Sequence, residues 1–301
     1  MDPDFGRFPF GQPNSVRPTR RAIPARTLVI GAYPSAFHVS WTAPRFAHGG
    51  EGTGRVRALA VDVEPEVFWQ GNEAGGAELL EAWLKEVDFQ EGDEPGQHGH
   101  IDSRLPAANG SSGRKLLERY LQPLGLKPDE VTFTDIYPVF MVKSGAPGKR
   151  DLGDAIRIEY NSIAEQMGRE PSHLPGRISP ATLPLRAAKE FGDRMRKDLL
   201  DASPELVITL GEEAWQTVNI VFGLDAHSPV SYFEALHGEA YGRPGTIRSG
   251  SHVAKWLPLV HPGLLRNNDP ANGKQYPAKR SVSGWNQVHS RWEEKNIRNR
   301  I

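Results

Sequence analysis

The chain contains no cysteine among its 301 residues. Disulfides, thiolate nucleophiles and sites in which cysteine holds zinc or an iron–sulfur cluster are therefore excluded. An excess of charge of one sign is also missing, because 36 lysines and arginines face 37 aspartates and glutamates and the formal charge is −1. No global field attracts a polyanion, so any contact with nucleic acid must come from local basic patches.

Long hydrophobic runs are absent as well. No apolar stretch approaches the ~20 residues that a membrane-spanning helix needs. The first residues, MDPDFGRFPFGQPN, lack the apolar core of a secretory signal. Together with the missing cysteine, these absences predict a soluble protein of the reducing cytoplasm, without a membrane partner.

Four apolar, β-prone segments alternate with helical patterns along the chain. They are 28–30, 131–140, 205–211 and 256–260. The alternation predicts an α/β fold: a three-layer αβα sandwich around a central four-stranded, mostly parallel sheet. We expect 1–25 to form an irregular basic arm and 26–301 a single domain. Insertions at about 49–110 and 144–184 show no obvious core of their own.

The helical pattern is clear in SSGRKLLERYLQPLGL, where leucines and Tyr120 fall on one face. Ser111 and Ser112 are candidate caps, and Gly125 is a natural stop. Helices are also expected near 77–87, over 185–200 and in EEAWQTVNIVF, with a possible helix in the carboxyl-terminal SRWEEKNIRNRI.

Three of the strand-like segments end in loops with distinctive residues, GAYPSAF, TDIYPVF and HPGLLRN. In open α/β sheets, ligands bind at the carboxyl ends of the strands. Each loop alone is weak evidence for a ligand site, since Gly, Pro or a single His follows many strands that have no functional role. Their order is more specific, with a capped helix before the second strand and Leu-Gly-x-x-Ala-Trp after the third.

This ordered set resembles the uracil-DNA glycosylase superfamily. The family's first motif, a strand ending in Gly-x-x-Pro, is matched by residues 31–34, and its last, His-Pro-Ser or similar, by His261-Pro262-Gly263. The strand with the base-recognising residue, usually Asn, carries Asp135 here, and VITLGEEAW matches the third strand, turn and helix. The resemblance covers about half of the chain. It implies a site at the strand ends that receives a base flipped out of DNA.

By this resemblance, His261 donates a hydrogen bond to the base carbonyl as the glycosidic bond breaks. Leu265, and with it Arg266, would wedge into the gap left in the duplex, although a core leucine is an equal alternative. Phe46 takes the place of the family's stacking phenylalanine, with Trp41 as a competitor. The implied base-binding residues are Gly31, Ala32, Tyr33, Ser35, Phe46 and Asp135.

The first motif departs from the family where a polar residue usually positions the attacking water, because Ala32 and Tyr33 stand there. A branch of the superfamily that also lacks this group is thought to take its carboxylate from elsewhere. Candidates here are Asp62 and Glu64 in ALAVDVEPEVFWQG, with Asp135 as a third. The alternative for the first two is a solvated turn beside a strand.

Two further departures concern the base. In the uracil-specific branch, a tyrosine after the motif proline blocks substituents at carbon 5 of the pyrimidine. The smaller Ser35 stands at that place here and would leave more room for such substituents. An ionised Asp135 only accepts hydrogen bonds, which favours the amino group of cytosine. We therefore expect a monofunctional DNA N-glycosylase, without cofactor, for a 5-modified (hydroxymethylated or glucosylated) cytosine in phage DNA, acting in antiviral defence. The alternative is excision of uracil or a deaminated base in DNA repair.

Rival functions have weaker patterns. HGHID at 98–102 mimics a two-metal hydrolase motif, but a loop leads into it, so no metal site is predicted. No G-x-G-x-x-G follows a strand and no G-x-S-x-G occurs, which disfavours a dinucleotide-binding domain and a serine hydrolase. A catalytically inactive DNA-binding module is the non-enzyme alternative, because the usual water-positioning group is missing.

DNA is the expected partner of a monomer. Phosphate contacts would come from basic residues near the two ends of the sequence, the alternative being scattered solubilising charge. These residues are Arg17, Arg20, Arg21, Lys279, Arg280, Arg298 and Arg300.

Overall fold

The computed structural model describes residues 19–20, 22, 25–42, 56–92, 99–102, 104–106, 109–141, 161, 165, 175–223, 241–265 and 282–298. The chain divides into two compact units. The first unit comprises Met1–Arg17, Tyr33–Ser111 and Val139–Ile178, and the second unit comprises Pro18–Ala32, Ser112–Pro138 and Ser179–Ile301. The predicted basic arm falls largely outside the described residues, and the predicted single domain stays a prediction.

Eight strands and six α-helices occur in the described part of the chain. The strands are β1 (Thr27–Gly31), β2 (Ala36–Thr42), β3 (Val56–Val63), β4 (His100–Asp102), β5 (Val131–Asp135), β6 (Leu206–Leu210), β7 (Gly245–Ser249) and β8 (His252–Leu259). The helices are α1 (Glu73–Glu86), α2 (Ser111–Leu116), α3 (Gln122–Leu124), α4 (Leu183–Ala202), α5 (Glu212–Phe222) and α6 (Val282–Arg298).

The second unit contains a mixed sheet whose described strands run in the order β5-β1-β6-β8-β7. β1 pairs in parallel with β5 and β6, and β6 with β8, whereas β7 is antiparallel to β8. The α/β class predicted from the alternation is therefore confirmed. The sheet has five described strands rather than the predicted four, because GTIRS folds back on β8 through a turn at Gly250, whose φ is 59°.

The helical pattern of residues 111–125 is confirmed, with one local change. Leu117–Leu121 widens into a π-helical turn between α2 and α3, and Gly125 ends the helix in the left-handed region with φ 71°. Leu116, Tyr120 and Leu121 are buried on the predicted face. In the described part of the chain, no helix combines the length and apolarity needed to cross a lipid bilayer.

The first unit contains an antiparallel sheet in the order β3-β2-β4 that was not predicted. Alternate residues of β2 are buried in an apolar cluster with residues of β3 and α1, as the two-residue period of a strand requires. The cluster comprises Phe37, Val39, Trp41, Leu59, Val61, Trp69, Leu80, Trp83 and Val87. The described residues of the segment 49–110 thus pack in an apolar core that they share with β2, where Trp69 and Trp83 lie buried.

Candidate active site

The carboxyl edge of the parallel strands in the second unit carries four positions of chemical interest. β1 ends at Gly31 and β5 at Asp135, Gly211 follows β6, and His261 lies two residues beyond β8. The strand order places them along the edge as Asp135, Gly31, Gly211 and His261. Three inter-strand spacings of about 4.8 Å separate β5 from β8, roughly 14 Å in all.

Asp135 lies beside Gly31, its partner in the register of β5 and β1. The two backbone segments remain paired beyond the strands, because the Ile136 N–H donates to the Gly31 carbonyl and the Tyr137 N–H to the Ala32 carbonyl, each over 3.0 Å. Asp135 is 3% exposed. The backbone pairing therefore fixes where this buried carboxyl group sits on the sheet edge.

A buried polar cluster anchors the strand that carries Asp135. The Thr134 hydroxyl donates to Asp198 Oδ2 over 2.9 Å, and the Thr19 hydroxyl donates to the same oxygen over 2.8 Å. Arg194 Nε lies 3.7 Å from that oxygen and supplies the opposite charge. Since these partners satisfy the buried Asp198 carboxylate, the last turn of α4 is tied to β5 one residue before Asp135.

His261 is half-buried and caps a short 3₁₀ turn, Pro262–Leu264. The Gly263 N–H donates to His261 Nδ1 over 3.0 Å, and the Leu264 N–H donates to the His261 carbonyl over 2.9 Å. A neutral imidazole whose Nδ1 accepts a hydrogen bond carries its proton on Nε2. The turn therefore selects the tautomer that donates through Nε2.

Two glycines allow the His261 side chain to lie close to the backbone. Gly211 has a φ of 95°, and a Cβ there would lie 3.4 Å from His261 Cβ. A Cβ on Gly263 would lie 3.0 Å from His261 Nδ1, tighter than ordinary van der Waals contact. Neither glycine was a predicted site residue, although each directly follows a motif element, β6 or His-Pro, where a close backbone approach is common.

The candidate water-positioning carboxylates lie in the first unit. Burial raises the pKa of Asp62, against the effect of the Val63 N–H, which donates to Asp62 Oδ1 over 2.7 Å. Glu64 is 7% exposed, and its Oε1 accepts a hydrogen bond from the Gly110 N–H over 3.3 Å. Glu64 is therefore not part of a solvated turn, and the water-positioning role stays a prediction for both residues.

Three other predicted base-site residues also belong to the first unit. The Arg177 guanidinium lies over the Tyr33 ring, 5.0 Å from its centroid. Ser35 is exposed, and its carbonyl accepts a hydrogen bond from the Glu64 N–H over 3.0 Å. Trp41, the alternative stacking residue, is buried in the core of the first unit and presents no face to a base.

The predicted DNA contacts are only partly described. Leu265 is fully buried, so the wedge role would require it to leave the core, whereas the neighbouring Leu264 is 41% exposed. Arg20 pairs with the backbone of Phe133, and its guanidinium lies 5.1 Å from that ring centroid. Outside the described residues lie Phe46, Arg17, Arg21, Arg266, Lys279, Arg280, Arg300 and the side chain of Arg298.

The HGHID segment shows no metal centre in its described part. Asp102 forms an ion pair with Arg104 over 2.6 Å, and the hydrogen bonds from Arg104 lower the pKa of Asp102 to about 2. His98 lies outside the described residues. No group of three or more metal-ligating side chains was found among the residues that the structure describes.

Comparison with protein-family models gave no match, and comparison with curated protein sequences gave none either. The resemblance to a glycosylase superfamily therefore depends on the motifs alone.

Proposed function

We propose that the protein is a DNA N-glycosylase of the uracil-DNA glycosylase type, acting on a 5-modified cytosine. The observation that supports this most is a histidine whose Nδ1 accepts a backbone hydrogen bond, at the same sheet edge as a buried carboxyl group. The roughly 14 Å between β5 and β8 is too wide for a direct contact between side chains that follow the two strands. It suits a planar ring held between the two side chains.

In this proposal, His261 acts as the electrophilic catalyst. Its Nε2–H donates to the base carbonyl oxygen while the bond between C1′ and the base nitrogen breaks, and the bonding electrons leave with the base. Water adds its hydroxyl to C1′, and its other proton goes to a carboxylate or to the departing base. The products are a free base and an abasic site, so the reaction needs no redox partner.

Asp135 would identify the base. An ionised carboxylate accepts hydrogen bonds and cannot donate one, so it pairs with the exocyclic amino group of cytosine rather than with a uracil carbonyl. Ser35 in place of the family's tyrosine would leave room at carbon 5. These two features favour hydroxymethylated or glucosylated cytosine in phage DNA, and hence a role in defence, over uracil repair.

A panel of oligonucleotides tests the proposal. Duplexes with uracil, hydroxymethyluracil, hydroxymethylcytosine or glucosylated hydroxymethylcytosine are incubated with the protein, and abasic sites are then cleaved with alkali. We expect cleavage at the modified cytosines and a shift towards uracil in Asp135→Asn. Release of uracil alone, or an unchanged preference in Asp135→Asn, would contradict the assignment of the base.

Two histidine variants test the catalytic assignment on the same substrates. His261→Asn should slow base release about 10²–10³-fold, the usual effect of removing a donor to a developing anion. His252→Asn is the matched control, because His252 begins the same strand and its Nε2 lies 3.0 Å from the Pro204 carbonyl, at the opposite end. Equal losses in both variants would show a general effect on the strand instead of catalysis.

A DNA-binding module without activity is the second candidate. The observation in its favour is that Asp62 and Glu64 already accept hydrogen bonds from backbone N–H groups, those of Val63 and Gly110. Salt-sensitive binding to DNA without any abasic product, for every base in the panel, would favour this module over the enzyme.

A further inference from the structure

Val260, the residue before His261, is held by side chains of distant residues. It is fully buried and lies just beyond the last residue of β8. The Tyr120 hydroxyl donates to the Val260 carbonyl over 2.7 Å, and the Val260 N–H donates to the Tyr241 hydroxyl over 3.2 Å. Two tyrosine hydroxyls thus satisfy both backbone groups where the sheet ladder ends.

Only one assignment of donors and acceptors fits the hydrogen bonds around His289. His289 Nε2 lies 3.0 Å from the Arg119 carbonyl, which can only accept, so Nε2 carries the proton. His289 Nδ1 then accepts from the Tyr241 hydroxyl over 2.7 Å. Since burial lowers the pKa of His289 to about 3, the ring stays neutral at physiological pH and the direction does not change.

Arg119 ties the network to helix α6. Its guanidinium makes two hydrogen bonds to Glu293, over 2.9 and 2.7 Å, and a third to Ser290 over 3.1 Å. Arg119 and Tyr120 are adjacent in the π-helical turn, so one turn supplies both the carbonyl that orients His289 and the hydroxyl that holds Val260. Such π-turns are common at functional sites.

We propose that Tyr120 and Tyr241 are positioning residues that aim His261 by fixing the peptide groups of Val260 from both sides. What His261 is aimed at rests on the proposed function, whereas the positioning itself does not. The network acts one residue from the imidazole. To be effective, a donor must lie at hydrogen-bonding distance from the developing charge, about 2.7–3.1 Å, and a misplacement of about 1 Å is costly. Phenylalanine in place of Tyr120 and Tyr241 would fill the same space, but it would leave the Val260 peptide groups without these two hydrogen bonds.

Tyrosine-to-phenylalanine variants test this role. Tyr241→Phe and Tyr120→Phe each remove one hydroxyl, and Thr209→Val is the matched control. Thr209 accepts a buried hydrogen bond from Trp256 Nε1 over 3.1 Å in the same sheet, away from residues 260–263. Thr209→Val and Tyr120→Phe each lose one of these buried hydrogen bonds. Tyr241→Phe loses two, the one from the Val260 N–H and the one to His289 Nδ1. Only the tyrosine variants release Val260.

Two measurements on the full-length protein need no substrate. Amide exchange should rise at least tenfold at Val260 and Gly263 in Tyr241→Phe relative to Thr209→Val. In wild type, the ring nitrogen shifts of isotope-labelled His261 should show the Nε2–H tautomer, and in Tyr241→Phe they should move towards the average of both tautomers. Unchanged exchange and unchanged shifts in both tyrosine variants would overturn the proposal.

Kinetics on whichever base the wild type releases add a third measurement. Tyr241→Phe should lower kcat at least tenfold with KM within about threefold, since the loss concerns the transition state. A loss of kcat no larger than in Thr209→Val would contradict the positioning role. If wild type releases no base from any substrate, the proposed function fails, and the exchange and nitrogen measurements still decide the positioning.

Discussion

The two sheets of this protein differ in which strand ends lie at the same sheet edge. In the second unit, β5, β1, β6 and β8 are parallel, so their carboxyl ends, and the residues that follow them, share one edge. In the first unit, β2 and β3 are antiparallel, and Ala36 at the start of β2 pairs with Val63 at the end of β3. A parallel sheet collects strand ends from distant parts of the chain, whereas an antiparallel pair joins one end with one beginning.

The polar residues of the two units differ accordingly. Asp135 ends β5, and His261 lies two residues beyond β8, so the two residues belong to different parallel strands. Asp62 lies in β3, and Glu64 directly follows the last residue of that strand. Each accepts a hydrogen bond from a backbone N–H, those of Val63 and Gly110. The difference teaches that the carboxylates of the first unit come from neighbouring positions at one strand end, while the polar residues of the second unit come from strands far apart in the chain.

The largest stability effect is expected for a glycine of the first unit. A Cβ on Gly110, whose φ is 67°, would lie 2.1 Å from the Gly71 nitrogen and 2.3 Å from the Gln70 carbonyl carbon, both backbone atoms. Gly110→Ala should therefore cost roughly 2–4 kcal/mol of unfolding free energy, measured by urea titration. The backbone shift that the new Cβ forces would also weaken the hydrogen bond from the N–H of residue 110 to Glu64 Oε1.

Gly250 in the second unit is the matched control for Gly110. Its φ is 59°, but a Cβ there would meet nothing within 4 Å, so Gly250→Ala measures backbone strain without crowding. The expected cost is about 1 kcal/mol. Similar losses in the two variants would contradict the close backbone packing around Gly110.

Acid should destabilise the second unit through His289. Burial lowers its pKa from 6.5 to about 3, so below pH 6.5 the unfolded chain takes up a proton that the folded chain does not. Stability is then fully present above pH 6.5 and is lost as the pH falls towards 3, by about 1.4 kcal/mol per pH unit. Urea titrations across this range, with peptide-resolved hydrogen exchange, measure the slope.

His289→Gln separates this contribution from others. An amide can donate to the Arg119 carbonyl and accept from Tyr241 without taking up a proton, although Glu293, 3.9 Å from His289 Nε2, stays nearby. The variant should flatten the acid slope for peptides of the second unit. His38 in the first unit, whose pKa burial also lowers, should keep its own contribution. An unchanged slope would show that His289 is not the group responsible.

The smallest effect concerns Asp62. Because burial raises its pKa, the ionised form is disfavoured in the fold, and Asp62→Asn should stabilise the protein at pH 7 by less than about 1 kcal/mol. The asparagine oxygen can still accept from the Val63 N–H. A stable variant that releases no base would assign Asp62 the water-positioning role, and full activity in Asp62→Asn would remove that role from it.

Some elements were visible in the sequence because they depend on local pattern. The apolar run of β1, the leucine face before Gly125 and the order of the motif loops follow from spacing along the chain. The antiparallel sheet of the first unit was missed although Phe37, Val39 and Trp41 alternate, because the surrounding Gly, Pro and charged residues resembled an irregular insertion. Strand β7 was also not predicted, because GTIRS has no apolar run and is held as a strand by its pairing with β8.

The site was predictable only in outline. The motifs predict roles for His261 and Asp135, which stay predictions. For Leu265 the sequence left a wedge and a core leucine as equal alternatives, and the side chain is buried. The helical pattern placed Tyr120 on the apolar face but indicated no role for its hydroxyl. Nothing in the pattern indicated Tyr241 or His289, since a single buried tyrosine or histidine has no periodic signature. Their roles depend on hydrogen bonds across 140, 19 and 48 positions of the chain.

The sequence by itself determined the α/β class, the exclusion of cysteine chemistry and the polar residues that follow each parallel strand. These depend on residue type and on spacing within one element, and both are present before the chain folds. Only the tertiary structure decided that Glu64 accepts a hydrogen bond from the Gly110 N–H and that two tyrosine hydroxyls fix Val260. Hydrogen-bond direction and burial belong to pairs of distant residues, and those pairs exist only once the sheet has brought them together.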